Sequence, residues 1–372
     1  MGGNSDCERT THRYHGSHRV SFKHGEKPRA APALALTEGS KLKRFVIVAP
    51  HKLRTGGPEA CFQLSDSLIR SGAKVQMWLM TDWELRLLTY TRRFKDSAVS
   101  RLLKGNGKRT QIAEYAHYLM EPFDGHLFDE PSILVLPETY SWLVSRVPEM
   151  QILLWWLSVD NAFNSLSHIN LNHLHHLRVR HAFQSAYAHD VVNAFGISGS
   201  MLSDYTVVPQ KSLSPIQARP MKLCLSAGRK IIFDLDAIEK SIKMVLPEID
   251  IIRISNMPRD QVYSHFSSSR LFLDLGNFPG KDRMVREALL LGCNVVVASA
   301  GAGRHPKDYA FTDDYRWQMK DTTKLILMVK ETMENPGYHT AFFETARQEI
   351  RDEKTKFQAE AEALVASFDS QV

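Results

Sequence analysis

The chain of 372 residues is long enough for two domains, each with a substantial core. With 43% hydrophobic and 24% charged residues it has the composition of a globular protein, and no segment approaches the roughly 20 apolar residues of a membrane-spanning helix. A net charge of +6 and a pI of about 9.0 favour an anionic partner such as nucleotide or lipid phosphate, while no zinc-finger spacing or RNA-binding aromatic motif supports nucleic acid. The N-terminus has no apolar signal segment, and Met1-Gly2 followed by Asp6 lacks the Ser/Thr of a myristoylation site. Cys7, Cys61, Cys224 and Cys293 are far apart, and the last three sit in apolar runs as free thiols. The expected location is the cytoplasm.

Residues 1–40 are polar, basic and His-rich, then Ala/Pro-rich, and read as a disordered tail. His12, His15, His18 and His24 are too irregularly spaced for a metal site. A first α/β domain is expected over residues 41–208. Arg44–Pro50 is a short apolar run, hence a buried parallel strand. The Thr55-Gly56-Gly57 loop follows, with Pro58 at a helix start and Gly72 at its close, and Lys74–Trp78 is the next strand. Trp83 to Arg109 interleave Leu87, Tyr90 and Phe94 with eight basic residues, an amphipathic pattern suited to an outer face or to an anionic membrane surface. Further strands are expected at Ser132–Leu136, Gln151–Trp155 and Thr206–Val208. Residues 209–222, with Pro209, Pro215 and Pro220, read as a linker.

A second α/β domain is expected over residues 223–335. Its strands fall at Lys222–Ser226, Asp250–Ile254, Leu271–Asp274 and Asn294–Ala298, with helices at Asp236–Val245 and Asp260–Ser267. Residues 336–372 form a charged amphipathic C-terminal helix. The most informative stretch runs from Leu275 to Glu287, a glycine-bearing basic loop between a strand and a helix-like run beginning at Glu287. Such a loop points backbone N–H groups and a helix N-terminus at an anion. Gly280, Lys281 and Arg283 suit a diphosphate, with Arg229 and Lys230 after the domain's first strand as a second cationic pair. Gly56 and Gly57 permit close backbone approach, and Gly301 and Gly303 open the next strand-end loop. Asp160, at the end of a strand-like run, and Glu138, its rival, are candidates to orient or deprotonate an acceptor hydroxyl. No metal is expected: Asp234-Leu-Asp236 fits a helix cap at Asp236, and His173, His175 and His176 have no second ligand cluster.

Four segments together resemble the GT-B glycosyltransferases, in particular a bacterial group associated with surface polysaccharides. They are Thr55-Gly-Gly-Pro-Glu59, Trp155-Trp-Leu-Ser-Val-Asp-Asn161, Gln184-Ser-Ala-Tyr-Ala188 and Gly276-Asn-Phe-Pro-Gly-Lys-Asp-Arg283. The resemblance spans about Lys43 to Trp317. It implies two Rossmann-like domains facing across a cleft, with the donor nucleotide in the second and the acceptor facing the first. It implies metal-independent hexosyl transfer, with retention, from a nucleoside diphosphate sugar, with no cofactor, to a glycan or lipid-linked acceptor in polysaccharide biosynthesis. A peripheral place at the inner face of the plasma membrane is compatible with such an acceptor. The resemblance also assigns Glu287 to the nucleotide ribose. Of the two glutamates common in this loop only Glu287 is present; Pro279 stands at the first position. A non-catalytic nucleotide- or glycan-binding protein of the same fold is the alternative. A nucleotide-dependent enzyme of another class, such as a sugar-nucleotide epimerase or a dehydrogenase, is a third reading, and the absence of Gly-x-Gly-x-x-Gly after the first strand argues against the dehydrogenase.

Overall fold

The computed structural model describes residues 44–81, 83–84, 113–147, 149–162, 166, 171–210, 212–228, 230–231 and 233–369. The histidine-rich tail, Cys7, Arg229 and nearly all of the Trp83–Arg109 segment lie outside them. The described residues belong to one compact unit from Lys41 to Val372.

Two parallel sheets organise the chain. The first has the order β2-β1-β3-β4-β5-β6, from β1 (Arg44–Pro50), β2 (Lys74–Met80), β3 (Ser132–Pro137), β4 (Gln151–Trp156), β5 (Val179–Phe183) and β6 (Ser200–Met201). The second has the order β11-β10-β9-β7-β8, from β7 (Lys222–Ser226), β8 (Asp250–Ile254), β9 (Leu271–Asp274), β10 (Asn294–Ala298) and β11 (Arg316–Trp317). Helix α1 (Gly56–Arg70) makes the first crossover, and α2 (Ala186–Asn193) follows β5. In the second sheet α3 (Leu235–Val245), α4 (Arg259–Ser268) and α5 (Arg283–Leu290) link successive strands. The chain closes with α6 (Thr322–Glu334), α7 (Pro336–Thr340) and α8 (Glu344–Asp369).

Both sheets reverse direction beside their founding strand. In the first, β1 lies between β2 and β3; in the second, β7 lies between β8 and β9. Such switch points leave a crevice at the carboxyl ends of the strands, because successive crossovers depart to opposite sides. The loops after β1 and β9 open onto a crevice, and these loops carry glycines and basic residues.

Three expectations need correction, and one strand was not expected. Thr206–Val208 is not a strand: the Thr206 N–H donates to the Glu353 carboxylate (3.1 Å) and the Tyr205 N–H to Gln63 (3.3 Å), so side chains replace the ladder. The strand in that part of the sheet is β5, whose Arg180 and His181 interrupt the apolar pattern; His181 is buried and accepts from Trp156 Nε1 at 3.1 Å. The helix after the glycine loop starts at Arg283, capped by Asp282, whose side chain accepts the Met284 N–H at 2.8 Å. Glu287 is thus one turn inside α5, on the same face as Arg283. Finally, α3 is capped by Asp234, which accepts from Ala237 N at 3.1 Å, rather than by Asp236.

The long C-terminal helix returns to the first sheet. Phe368 packs edge-on to Phe45 with ring centroids 5.8 Å apart, and Phe357 stacks on Trp155 at 6.4 Å. Alternation along β1 sends Phe45, Ile47 and Ala49 toward α1 and α8, and Val46 and Val48 toward Trp78 and Phe123 on the other face. Cys61, Cys224 and Cys293 are buried free thiols, each pushed up in pKa by that burial.

Candidate functional site

The switch-point loops of the two sheets border one cavity of about 1030 Å³. This is at the upper end of the ~300–1,000 Å³ typical of small-molecule sites. From the first sheet it is lined by Arg54, Thr55, Gly56 and Gly57 after β1, and by Leu157, Ser158 and Asn161 after β4. From the second it is lined by Asn256 to Arg259 entering α4, and by Pro279 to Arg283, Arg286 and Glu287 entering α5. Gly56, Gly57, Gly280, Lys281, Arg283 and Glu287, far apart in sequence, thus share one cavity. The α1 N-cap, Thr55, makes no side-chain hydrogen bond to the first turn, so that helix end meets the cavity uncapped by a side chain.

Local geometry explains the glycine loop. A Cβ on Gly280 would lie 2.0 Å from the Leu157 carbonyl oxygen, so only glycine lets this loop touch the end of β4. Beside it the Lys281 N–H donates to Gln184 Oε1 at 2.9 Å. Gly301 and Gly303 serve the same loop from behind. With φ +49, Gly301 packs against the Phe278 carbonyl, and Gly303 packs on the Phe278 ring. Neither lines the cavity. Lys230 is also set back, between Asp274 (2.6 Å) and Asp282 (2.7 Å), with its stem lying against Gly276. The two carboxylates hold its ammonium well above its ordinary pKa against the effect of burial.

The remaining cations are paired with carboxylates. Lys281 Nζ meets Glu353 at 2.7 Å, and Arg286 bridges Glu353 and Asp204 at 2.8 Å each. Arg259 donates to Glu59 at 2.6 Å, and Arg283 Nη1 contacts the same carboxylate. Burial would raise Glu59 and Asp204, but the guanidinium groups outweigh it and hold both carboxyls below the usual range: chiefly Arg283 for Glu59 and Arg286 for Asp204. Arg283 is the exception in its own geometry. Its Nε and Nη2 are buried without a hydrogen-bond partner among the described residues, and Nη2 is 3.9 Å from the nearest Asp204 oxygen. Glu287 is raised by burial, offset in part by Arg283 and by the Tyr263 hydroxyl that donates to it at 2.9 Å.

The two catalytic candidates lie off the wall. Glu138 is buried at the end of β3, where its carboxylate accepts the Leu157 N–H at 2.9 Å; burial raises it to about 7. Asp160, in a 3-10 helix over Val159–Asn161, accepts from the Tyr187 hydroxyl at 2.8 Å. Sequence reasoning missed Glu59, Arg259, Asp204 and Arg286. The only signal for Arg259 was its place at the entry to a helix directly after a strand, the position that made Arg283 conspicuous. Among the described residues no cluster of metal-ligating side chains occurs, and no helix is long and apolar enough to cross a membrane.

No family model and no curated protein matches the sequence. Solved structures do match in fold. A point mutant of S. aureus TarM, in complex with fondaparinux, α-GlcNAc-glycerol and UDP, aligns with a TM-score of 0.58 at 9% identity, over 87% of this chain and 99% of that one. Sucrose-phosphate synthase from Thermosynechococcus elongatus aligns at 0.54 and 10% identity, over 89% of this chain and all of that one (100%). The lipopolysaccharide outer core galactosyltransferase WaaB in its apo form aligns at 0.50 and 10%, over 84% and 99%. The architecture is therefore GT-B, two Rossmann-like sheets with their switch points on a shared cleft.

Proposed function

We propose that the protein is a glycosyltransferase that takes a sugar from a nucleoside diphosphate sugar and passes it to a hydroxyl of a glycan or lipid-linked acceptor in polysaccharide biosynthesis. The observation that carries this reading is Arg283. It lines the cavity beside a glycine loop at a switch point, with Nε and Nη2 buried and unpartnered among the described residues. That edge of a guanidinium is the fork that binds two phosphate oxygens, and leaving such donors dry costs about 1–3 kcal/mol each. The UDP held by TarM, a protein of the same fold, supports a uridine nucleotide as the first to try.

In this reading Arg283 and Lys281 neutralise the diphosphate, Glu287 takes ribose hydroxyls, and the Gly56-Gly57 amides with the α1 N-terminus approach the phosphates from the facing domain. The acceptor oxygen bonds to the anomeric carbon as the bond to the diphosphate oxygen breaks, and the departing diphosphate takes the acceptor's proton. That route, with retention and without a metal, needs no free protein base, which suits the confinement of Glu138 and Asp160 to hydrogen bonds away from the wall.

The test is a thermal-shift panel of UDP, GDP, CDP, dTDP and ADP on the wild type and on Arg283→Met. One diphosphate should raise the melting temperature, with affinity falling about 10–100-fold in the variant as a charge-assisted contact is lost. Silence across the panel in folded protein would overturn the reading. A second reading, nucleotide or glycan binding without turnover, is favoured by Pro279 at a position where a carboxylate is common. Release of free diphosphate from the stabilising nucleotide's sugar conjugate separates the two.

A further inference from the structure

Two of the cavity's arginines, Arg259 and Arg283, are held by a carboxylate from the first sheet's side. Glu59 stands in the first turn of α1, on the first sheet's side, while Arg259 and Arg283 open α4 and α5 on the second sheet's side. Its side chain is only 6% exposed. One oxygen meets Arg259 Nη2 at 2.6 Å and Arg283 Nη1, and the other accepts from the Tyr118 hydroxyl at 3.0 Å. Tyr118 fixes the carboxylate from behind, so Glu59 is aimed, not loosely placed. It is a planar anion with two oxygens, held by two guanidinium groups beside a cavity, which is the contact a phosphate group makes.

We propose that Glu59 is a gating carboxylate, an intramolecular stand-in for a phosphate that must be displaced from Arg259 and Arg283 before an anionic ligand can bind fully. This rests on the proposed nucleotide reading for its natural ligand, but not for its physics. The Nε and Nη2 of Arg283, buried and without a hydrogen-bond partner among the described residues, are donors that an incoming phosphate satisfies as Glu59 gives way. Full engagement then exchanges Glu59 for the ligand on both arginines. Small anions that gain nothing from the ribose side at Glu287 compete poorly with a tethered carboxylate, whose effective concentration is high. Glu59 therefore selects against free phosphate and pyrophosphate and in favour of a ligand with further contacts. The same exchange uncouples α1 from α4 and α5, so ligand entry and release of the cross-domain contact are one event.

The test is calorimetric binding of inorganic pyrophosphate and of UDP to the wild type, Glu59→Gln and Glu59→Asp at fixed ionic strength. Glu59→Gln is expected to bind pyrophosphate about fivefold more tightly than wild type, the size of one screened charge–charge interaction. Glu59→Asp keeps the charge but is a methylene shorter and should fall between them, which serves if the glutamine variant does not fold. UDP affinity should rise by a smaller factor, lowering the preference for the nucleotide over pyrophosphate. Equal or weaker pyrophosphate binding by the variants would overturn the proposal and leave Glu59 a strut. A gain for pyrophosphate with silence for every nucleoside diphosphate would keep the gate and overturn the nucleotide reading. Silence toward both ligands in all proteins would overturn both.

Discussion

Glu138 is a residue whose environment has a measurable signature. Its carboxyl, about 4.5 when free in the unfolded chain, is raised to about 7 by complete burial, which outweighs the lowering effect of the Leu157 and Ser158 amides. The folded state therefore holds a proton that the unfolded state has released between these values. Stability from this group is fully present below pH 4.5 and is lost as pH rises through 7, a change of about 3 kcal/mol. Glu138→Gln cannot ionise, so the stability difference between wild type and variant should shift by that order between pH 5 and pH 8 in urea titrations. A constant difference would mean that Glu138 does not titrate in this window. This residue was legible as a strand-end carboxylate, but its confinement was not. Nothing in the sequence places the Leu157 amide, nineteen positions later, on its oxygen.

At the scale of elements, most of the legible strands were those buried on both faces, although the half-exposed β8 was legible too. β1, β3, β4, β7, β9 and β10 are largely apolar runs, as parallel strands covered by helices must be. β5 was hidden because Arg180 reaches out to the Ser367 carbonyl (2.9 Å) and His181 finds buried partners, so polar residues occupy strand positions. The start of α5 was hidden because Arg283 and Arg286 read as loop charge until Asp204, Glu59 and Glu353 are seen to neutralise them. The glycine loop before α5 depends on contact between elements. Gly280→Ala would drive a methyl group into the Leu157 carbonyl, backbone against backbone, where no side chain can yield. A cost of about 2–4 kcal/mol is expected from urea unfolding, with faster proteolysis of the 275–282 loop. An unchanged midpoint would show that the loop relaxes away from β4.

At the scale of the whole molecule, the architecture was legible from the repeated strand–loop–helix order, whereas the pairs that join its halves were not. Arg259 and Glu59 are 200 positions apart, and sequence spacing carries no trace of their contact. Helix α8 ties both halves together: Glu353 holds Lys281 and Arg286 by the cleft, while Phe357, fully buried, stacks on Trp155 of the first sheet. Phe357→Ala should cost about 3–5 kcal/mol in chemical unfolding and should weaken ligand binding without touching the cavity wall. Full affinity retained in a destabilised variant would separate the helix's anchoring from the site.

The return of α8 to β1 also sets an order of events during synthesis. Strand β1 is the first described segment to be made, yet Phe45 meets Phe368 only when nearly the whole described chain has been released. Domains fold as they emerge, N-terminal part first. The first sheet must therefore wait with one face unfinished, and the carboxylate that steadies Lys281 and Arg286 arrives last. A nascent chain holding every residue of the glycine loops would still lack a finished cleft, so ligand capture is deferred until α8 has emerged and docked.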